Sequence, residues 1–269
     1  MVEPHYIIRG GIQGRERLRV LSRVMHPSTH ALLLRAGLRS GMNCFEVGCG
    51  SGDVAFDMAQ IVGADGRIIA TDIDETKLEL ARRDSEERQV QNLEFRFADI
   101  TQSAPEQKFD FVHARFVLTH LRNPEQALLN MRQAMQPGAI IVVEDIDFRG
   151  YFCEPDNASF RRYTDLYTQT VQRRGGDANI GPRLPLLLIA AGFENVQMNV
   201  VQHAGMTGDV KLITPLTMEN IADAVLAEGL AIRTELDQIT DELYEYARNP
   251  GTISSTPRIV EAWGHCPQV

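Results

Sequence analysis

The segment Phe45-Glu46-Val47-Gly48-Cys49-Gly50-Ser51-Gly52-Asp53 constrains the fold more than any other stretch of this chain. Before it, residues 43 to 47 form a short, mostly apolar run of strand length. After it, residues 53 to 62 have helical spacing and stop at Gly63. A strand, a glycine-rich turn and a helix in that order aim backbone N–H groups at a ligand on the helix N-terminus. The dinucleotide spacing G-x-G-x-x-G would need glycine at 48, 50 and 53. Position 53 is aspartate, whose charge at the first helical turn opposes a pyrophosphate. The spacing Glu-x-Gly-x-Gly-x-Gly fits every position instead, and an acidic residue ahead of the glycines suits a cationic ligand rather than phosphates.

Strands alternate with helices around this turn. Residues 67 to 71, 93 to 97, 109 to 114 and 139 to 145 read as further strands. Asp74 is placed to cap a helix running to about Val90, and Asn123-Pro124 with Gln126 marks another helix start. Strands at this spacing with helices between them predict a doubly wound, mostly parallel sheet. Ahead of it, residues 15 to 25 form an amphipathic helix that Pro27 is expected to break, with Ser28 or Thr29 capping a second helix ended by Gly37. Beyond residue 150 the rhythm changes. Residues 157 to 174 and 182 to 191 read as helices, 194 to 203 as an edge or antiparallel strand, 217 to 248 as one or two helices and 257 to 265 as a closing strand. The expected division is an N-terminal helical flap over 1–40 and one domain over 41–269, with insertions at about 154–176 and 214–250.

Composition excludes several classes. With 269 residues and 43% hydrophobic content the chain can bury a sizeable core. A net charge of −9 disfavours nucleic acid and anionic membranes as partners. No run approaches the roughly 18 apolar residues that span a bilayer, and no basic-then-apolar leader opens the chain. The four cysteines form no CxxC and no zinc spacing, so reduced thiols, a cytoplasmic location and no metal are expected.

The glycine turn resembles motif I of the class I S-adenosylmethionine (SAM)-dependent methyltransferases, and three further elements fall in that family's order. The resemblance implies a seven-stranded Rossmann-like sheet and SAM as cofactor, with S-adenosylhomocysteine as product. It implies cofactor contacts from Glu46, Gly48, Cys49, Gly50 and Gly52. Asp72, in RIIATDID, stands where the family binds the ribose hydroxyls, and Ile73 where an apolar side chain packs on adenine. Asp99 and Ile100, in FADI, stand at the adenine amine, and His113 near the methionine moiety. The segment 109 to 128 resembles the fourth-strand region, and QPGAIIVVEDIDF the turn and fifth strand, with Ala139 in place of the second glycine.

In open α/β sheets the crevice lies outside the carboxyl ends of the strands. Those ends offer Arg115 and Phe116 after the fourth strand and Asp145 and Asp147 after the fifth, one of which is expected to touch the acceptor. His120 and Asp145 are the candidate catalytic groups. Tyr6, before the glycine pair Gly10-Gly11, is placed to close over the cofactor. Phe160, Tyr163 and Tyr167 share one helix face, which reads either as core or as an aromatic wall over the acceptor. The expected reaction moves a methyl group from SAM to an O, N or C nucleophile of a small molecule. A SAM-binding module without catalysis and, further off, a nicotinamide-dependent oxidoreductase are the alternatives. A homodimer stays open.

Overall fold

The predicted apolar runs become strands because each buries both faces between helical layers. In the computed structural model, which describes residues 7–8 and 11–268 with side chains at 7–8 and 14–268, the order opens with α1 (Gly11–Ala36). It continues as β1 (Asn43–Val47), α2 (Asp53–Val62), β2 (Arg67–Asp72), α3 (Glu75–Glu87), β3 (Leu93–Phe97) and β4 (Phe109–Arg115). After a 3-10 turn at Leu118–His120 come α4 (Pro124–Gln133), β5 (Met135–Asp147), β6 (Cys153–Glu154) and α5 (Ala158–Arg173). The chain closes with α6 (Leu184–Ala190), β7 (Glu194–Val201), β8 (Ala204–Gly205), α7 (Asp209–Ala227), α8 (Arg233–Arg248), β9 (Ile253–Ser255) and β10 (Arg258–His265).

The main sheet has seven strands in the order β3-β2-β1-β4-β5-β10-β7, and β10 alone runs antiparallel to its neighbours. The caps sit where the sequence put them: Asp74 accepts the Lys77 N–H, and Asn123 accepts that of Gln126. The closing strand inserts between β5 and β7, leaving β7 at the edge with Met198 and Val200 exposed.

Three elements differ from expectation. Pro27 does not break the first helix, and α1 runs through it. A proline inside a helix costs about 3 kcal/mol. Met25, Leu32 and Leu33 are fully buried on the same helix, and each such side chain contributes about 1.5–3 kcal/mol, so packing outweighs the lost hydrogen bond. Ser28 and Thr29 are therefore not caps: Thr29 Oγ1 donates to Glu144 at 3.0 Å, and Ser28 Oγ donates to the Met25 carbonyl. The second insertion begins at Asp209 rather than near 214, after Gly208 in a left-handed conformation (φ 84°), and carries Pro215 inside its helix. A small second sheet, β6-β9-β8, was not foreseen, because its strands are two or three residues long.

The insertions α5, α7 and α8 pack on one another, and α1 packs on α7. Their shared core includes Met25, Phe148, Tyr163, Tyr167, Ile213 and Ile259. This helical layer stands over the carboxyl ends of β4 and β5, which places the site.

Candidate active site

The three turn glycines all have positive φ: 67° at Gly48, 57° at Gly50 and 81° at Gly52. They are needed for different reasons. A Cβ at Gly48 would stand 2.5 Å from Val117, and one at Gly52 2.7 Å from Phe95. At Gly50 the nearest side-chain atom would be Leu18 at 3.7 Å, an ordinary contact, so nothing in the protein itself crowds that position. The turn is tied to β2: Cys49 N donates to the Thr71 carbonyl, and Gly50 N donates to Asp72 Oδ2 at 2.8 Å. The other Asp72 oxygen accepts the Asp74 N–H at 2.9 Å. Asp99 Oδ1 accepts both the backbone N–H and the hydroxyl of Thr101.

One cavity joins this turn to the helical layer. Its first half is lined by Glu46, Gly48, Cys49, Gly50, Asp72, Ile73, Asp99 and Ile100, bringing together eight of the expected cofactor residues. Its second half is lined by Arg115, Phe116, His120, Tyr163 and Tyr167 from the expected acceptor set. Arg17, Phe148, Tyr151, Ile213 and Thr217 line it as well and were not named from sequence. Phe148 and Tyr151 had a local signal, standing just past the fifth strand; the others reach the cavity through long-range packing. Tyr6 and Gly10 lie outside the described residues.

Four expected site residues stand elsewhere. Gly52 is spent on packing against Phe95 rather than lining the cavity. The His113 ring is fully buried two residues short of the end of β4, with Nε2 3.2 Å from Glu144 and Nδ1 3.8 Å from Glu46. Asp145 and Asp147 are two apart and so share one face of β5, while Glu144, Ile146 and Phe148 share the other. Ile146 and Phe148 line the cavity; the two aspartates do not. Asp145 instead accepts the Thr119 and Ile146 N–H groups, and Asp147 is held by Arg149 and Arg258. Asp145 and Asp147 thus do not line the cavity, and the His113 ring is turned to two buried carboxylates.

Burial sets the electrostatics. It raises the Glu46 carboxyl above the usual range, an effect that neighbouring His113 and Arg115 oppose. Burial alone would lower His113, but Glu144 and Glu46 on its two sides lift it above its ordinary value. His120 is pushed down to about 3 by burial and by the positive charges of Arg17 and Lys77, so its ring is neutral at ordinary pH. Burial raises Asp145 to about 7, against the pull of its backbone donors. The phenol of Tyr151 is pushed up to about 12 by burial and donates to or accepts from Thr214 at 2.5 Å.

The buried Oε2 of Glu46 has no hydrogen-bond partner among the described residues. Together with the open approach at Gly50 and the Asp72 carboxylate, it fits a ligand carrying an ammonium and a ribose. The parallel sheet with one antiparallel strand beside its edge, and a glycine turn at its carboxyl face, define a class I methyltransferase. A family model described as a methyltransferase domain matches residues 38–174, and the chain belongs to that family.

Two curated relatives cover part of the chain. One is an uncharacterised 37.1 kDa protein of transposon TN4556 from Streptomyces fradiae, 31% identical over 58% of this chain and 44% of its own length. Another is the ubiquinone/menaquinone biosynthesis C-methyltransferase UbiE of Pseudomonas entomophila, 29% identical over 49% of this chain and 50% of its own. The chain thus spans about half the length of these relatives. Among solved structures, the phosphoethanolamine N-methyltransferase 2 of Haemonchus contortus, in complex with phosphomonomethylethanolamine and S-adenosylhomocysteine, superposes with a TM-score of 0.54. It is 13% identical and covers 98% of this chain and 55% of that one, a likeness of fold alone. Among the described residues no helix is long and apolar enough to cross a membrane.

The structure also assembles a group that linear spacing concealed. Because α1 continues through Pro27, His26 and His30 fall one turn apart, and His30 Nδ1 stands 2.9 Å from Asp57 on α2. The trio lies outside the cavity.

Proposed function

We propose that this enzyme methylates a small-molecule acceptor with a flat or otherwise apolar body. The observation that carries the reading is the two-part cavity. Its first half presents carboxylates and a glycine turn, and its second half presents Phe116, Phe148, Tyr151, Tyr163, Tyr167 and Ile213. Aromatic walls bury apolar surface and exclude water. Glu46 would hold the ammonium of SAM, Asp72 the ribose hydroxyls and Asp99 the adenine amine. When bound, SAM supplies an electrophilic methyl group on a positively charged sulfur.

The transfer would be an in-line displacement, the bond from acceptor nucleophile to methyl forming as the methyl–sulfur bond breaks and the electron pair stays on sulfur. The protein's part is chiefly alignment, which proximity makes effective. His120, a neutral ring lining the second half, would be the acceptor of any proton that the nucleophile gives up. Its low basicity favours acceptors that arrive already deprotonated.

The test is transfer of labelled methyl from SAM to a panel of phenols, aromatic acids, amines and quinols, run beside DNA, RNA and protein. Turnover of members of the small-molecule panel is the expected result. Label entering only macromolecules would overturn the proposal.

A further inference from the structure

Charge in the cavity is segregated by half. Every lining carboxylate, namely Glu46, Asp53, Asp72, Asp74 and Asp99, stands on the glycine turn or at or just past the ends of β1, β2 and β3, and the lining cation on that side, Lys77, stands 3.8 Å from Asp74. The half formed by α1, the end of β4, the segment after β5, α5 and α7 contributes two charges, Arg17 and Arg115, both positive. Arg115 is engaged: its Nη1 donates to Thr29, which in turn donates to Glu144.

Arg17 is different. Its side chain is 9% exposed, and its Nε donates to Thr217 Oγ1 at 3.0 Å. Among the described residues no carboxylate lies within ion-pair distance of it. Two further hydroxyls, those of Tyr151 and Tyr163, belong to residues lining the same cavity. Its charge is felt there: it adds to the burial that lowers His120 and partly opposes the burial that raises Tyr151 and Tyr163. A guanidinium taken out of water without a counter-charge is costly, and buried charges are normally paired.

Resting on the small-molecule reading above, we infer that Arg17, held by Thr217, whose own hydroxyl donates to the Ile213 carbonyl, forms with the hydroxyls of Tyr151 and Tyr163 a subsite for an anionic oxygen of the methyl acceptor, a carboxylate or a phenolate on an apolar body. The planar guanidinium suits two parallel hydrogen bonds to such a group. The division of charge then matches the two ligands: the cationic cofactor meets the acidic half and the anionic acceptor meets the basic half.

The experiment titrates the protein, saturated with S-adenosylhomocysteine, with 2-naphthoate and 2-naphthol, and with the uncharged 2-naphthamide, by calorimetry. The acid is expected to bind at least tenfold more tightly than the amide. Arg17→Met should erase that preference while leaving S-adenosylhomocysteine affinity within about twofold, and Arg17→Lys should retain part of it. Melting curves identify a variant that fails to fold, in which case Arg17→Lys and Thr217→Val carry the comparison. Equal binding of acid and amide to the wild type, or no binding of either, overturns the inference. So does a large loss of S-adenosylhomocysteine affinity in Arg17→Met, which would assign Arg17 to the cofactor. Efficient methylation of only uncharged acceptors would sink the anion subsite and leave small-molecule methylation standing. Methylation of macromolecules alone would sink the latter, with anion binding still measurable.

Discussion

The Asp72 carboxylate and the Gly50 backbone are joined by a 2.8 Å hydrogen bond, with Gly50 N–H as donor. The residue expected to bind the cofactor therefore also fixes the loop that the cofactor approaches. Asp72→Ala should cost about 2–4 kcal/mol of cofactor affinity through lost charge-assisted hydrogen bonds, and should loosen the turn besides. Asp72→Asn keeps the shape and loses the charge, so it should fall between. Calorimetry with S-adenosylhomocysteine reads both; unchanged affinity in a folded Asp72→Ala protein removes Asp72 from the site.

The glycines should separate by phenotype. Gly48→Ala and Gly52→Ala drive a Cβ into Val117 and Phe95, and overpacking of this kind costs roughly 1–3 kcal/mol. Their melting temperatures should drop. Gly50→Ala meets nothing closer than 3.7 Å and bears only the left-handed backbone cost, about 1–2 kcal/mol. It should lose cofactor affinity out of proportion to stability, and a larger Gly50→Val should lose more. Normal affinity in Gly50→Val would show that the loop does not approach the cofactor.

Tyr163 and Tyr167 turn out to be wall and core at once. They line the cavity, yet are 1% and 3% exposed, and the Tyr167 ring stacks on Phe148 at 4.1 Å between centroids. Alanine at either position should cost about 3–5 kcal/mol of stability, obscuring any effect on catalysis. Tyr163→Phe preserves the packing. It is expected to keep cofactor affinity and lower acceptor turnover, a loss readable as transition-state free energy. Turnover equal to wild type would confine Tyr163 to packing.

Two buried groups predict opposite pH trends. Asp145 binds protons more tightly folded, its value raised from 3.8 to about 7. Its share of stability therefore falls as pH rises from about 4 to about 7 and is level above. His120 is lowered from 6.5 to about 3. Its share is present above about 6.5 and is lost as pH falls towards 3. Denaturant titrations across this range should show Asp145→Asn gaining on the wild type as pH rises. They should show His120→Gln gaining as pH falls below about 6.5. Flat differences would mean that neither group is desolvated.

Strand and helix positions along 43–145 were legible because they rest on local chemistry. Apolar runs, the glycine turn at 48–52 and the caps at Asp74 and Asn123 each act within a few residues. Glu46, Asp72 and Asp99 were singled out through the family resemblance, which could be mapped onto this chain because each stands at or near a strand end that local pattern made visible. The face of β5 was harder. Whether 144, 146 and 148 or 145 and 147 turn to the cavity depends on which side the helical layer covers. That side is occupied by α1, α5 and α7, from opposite ends of the chain.

The sequence by itself determined the alternation of strands and helices and the turn chemistry, and its family resemblance singled out residues that line the first half of the cavity. Only the tertiary structure decided that α1 runs through Pro27, that Asp145 and Asp147 point away, and that Arg17 and Thr217, 200 residues apart, meet at 3.0 Å. Those outcomes depend on burial and on contacts between distant segments. Their free energies exceed a proline's local penalty or a strand's local pattern, and no short window of residues contains them.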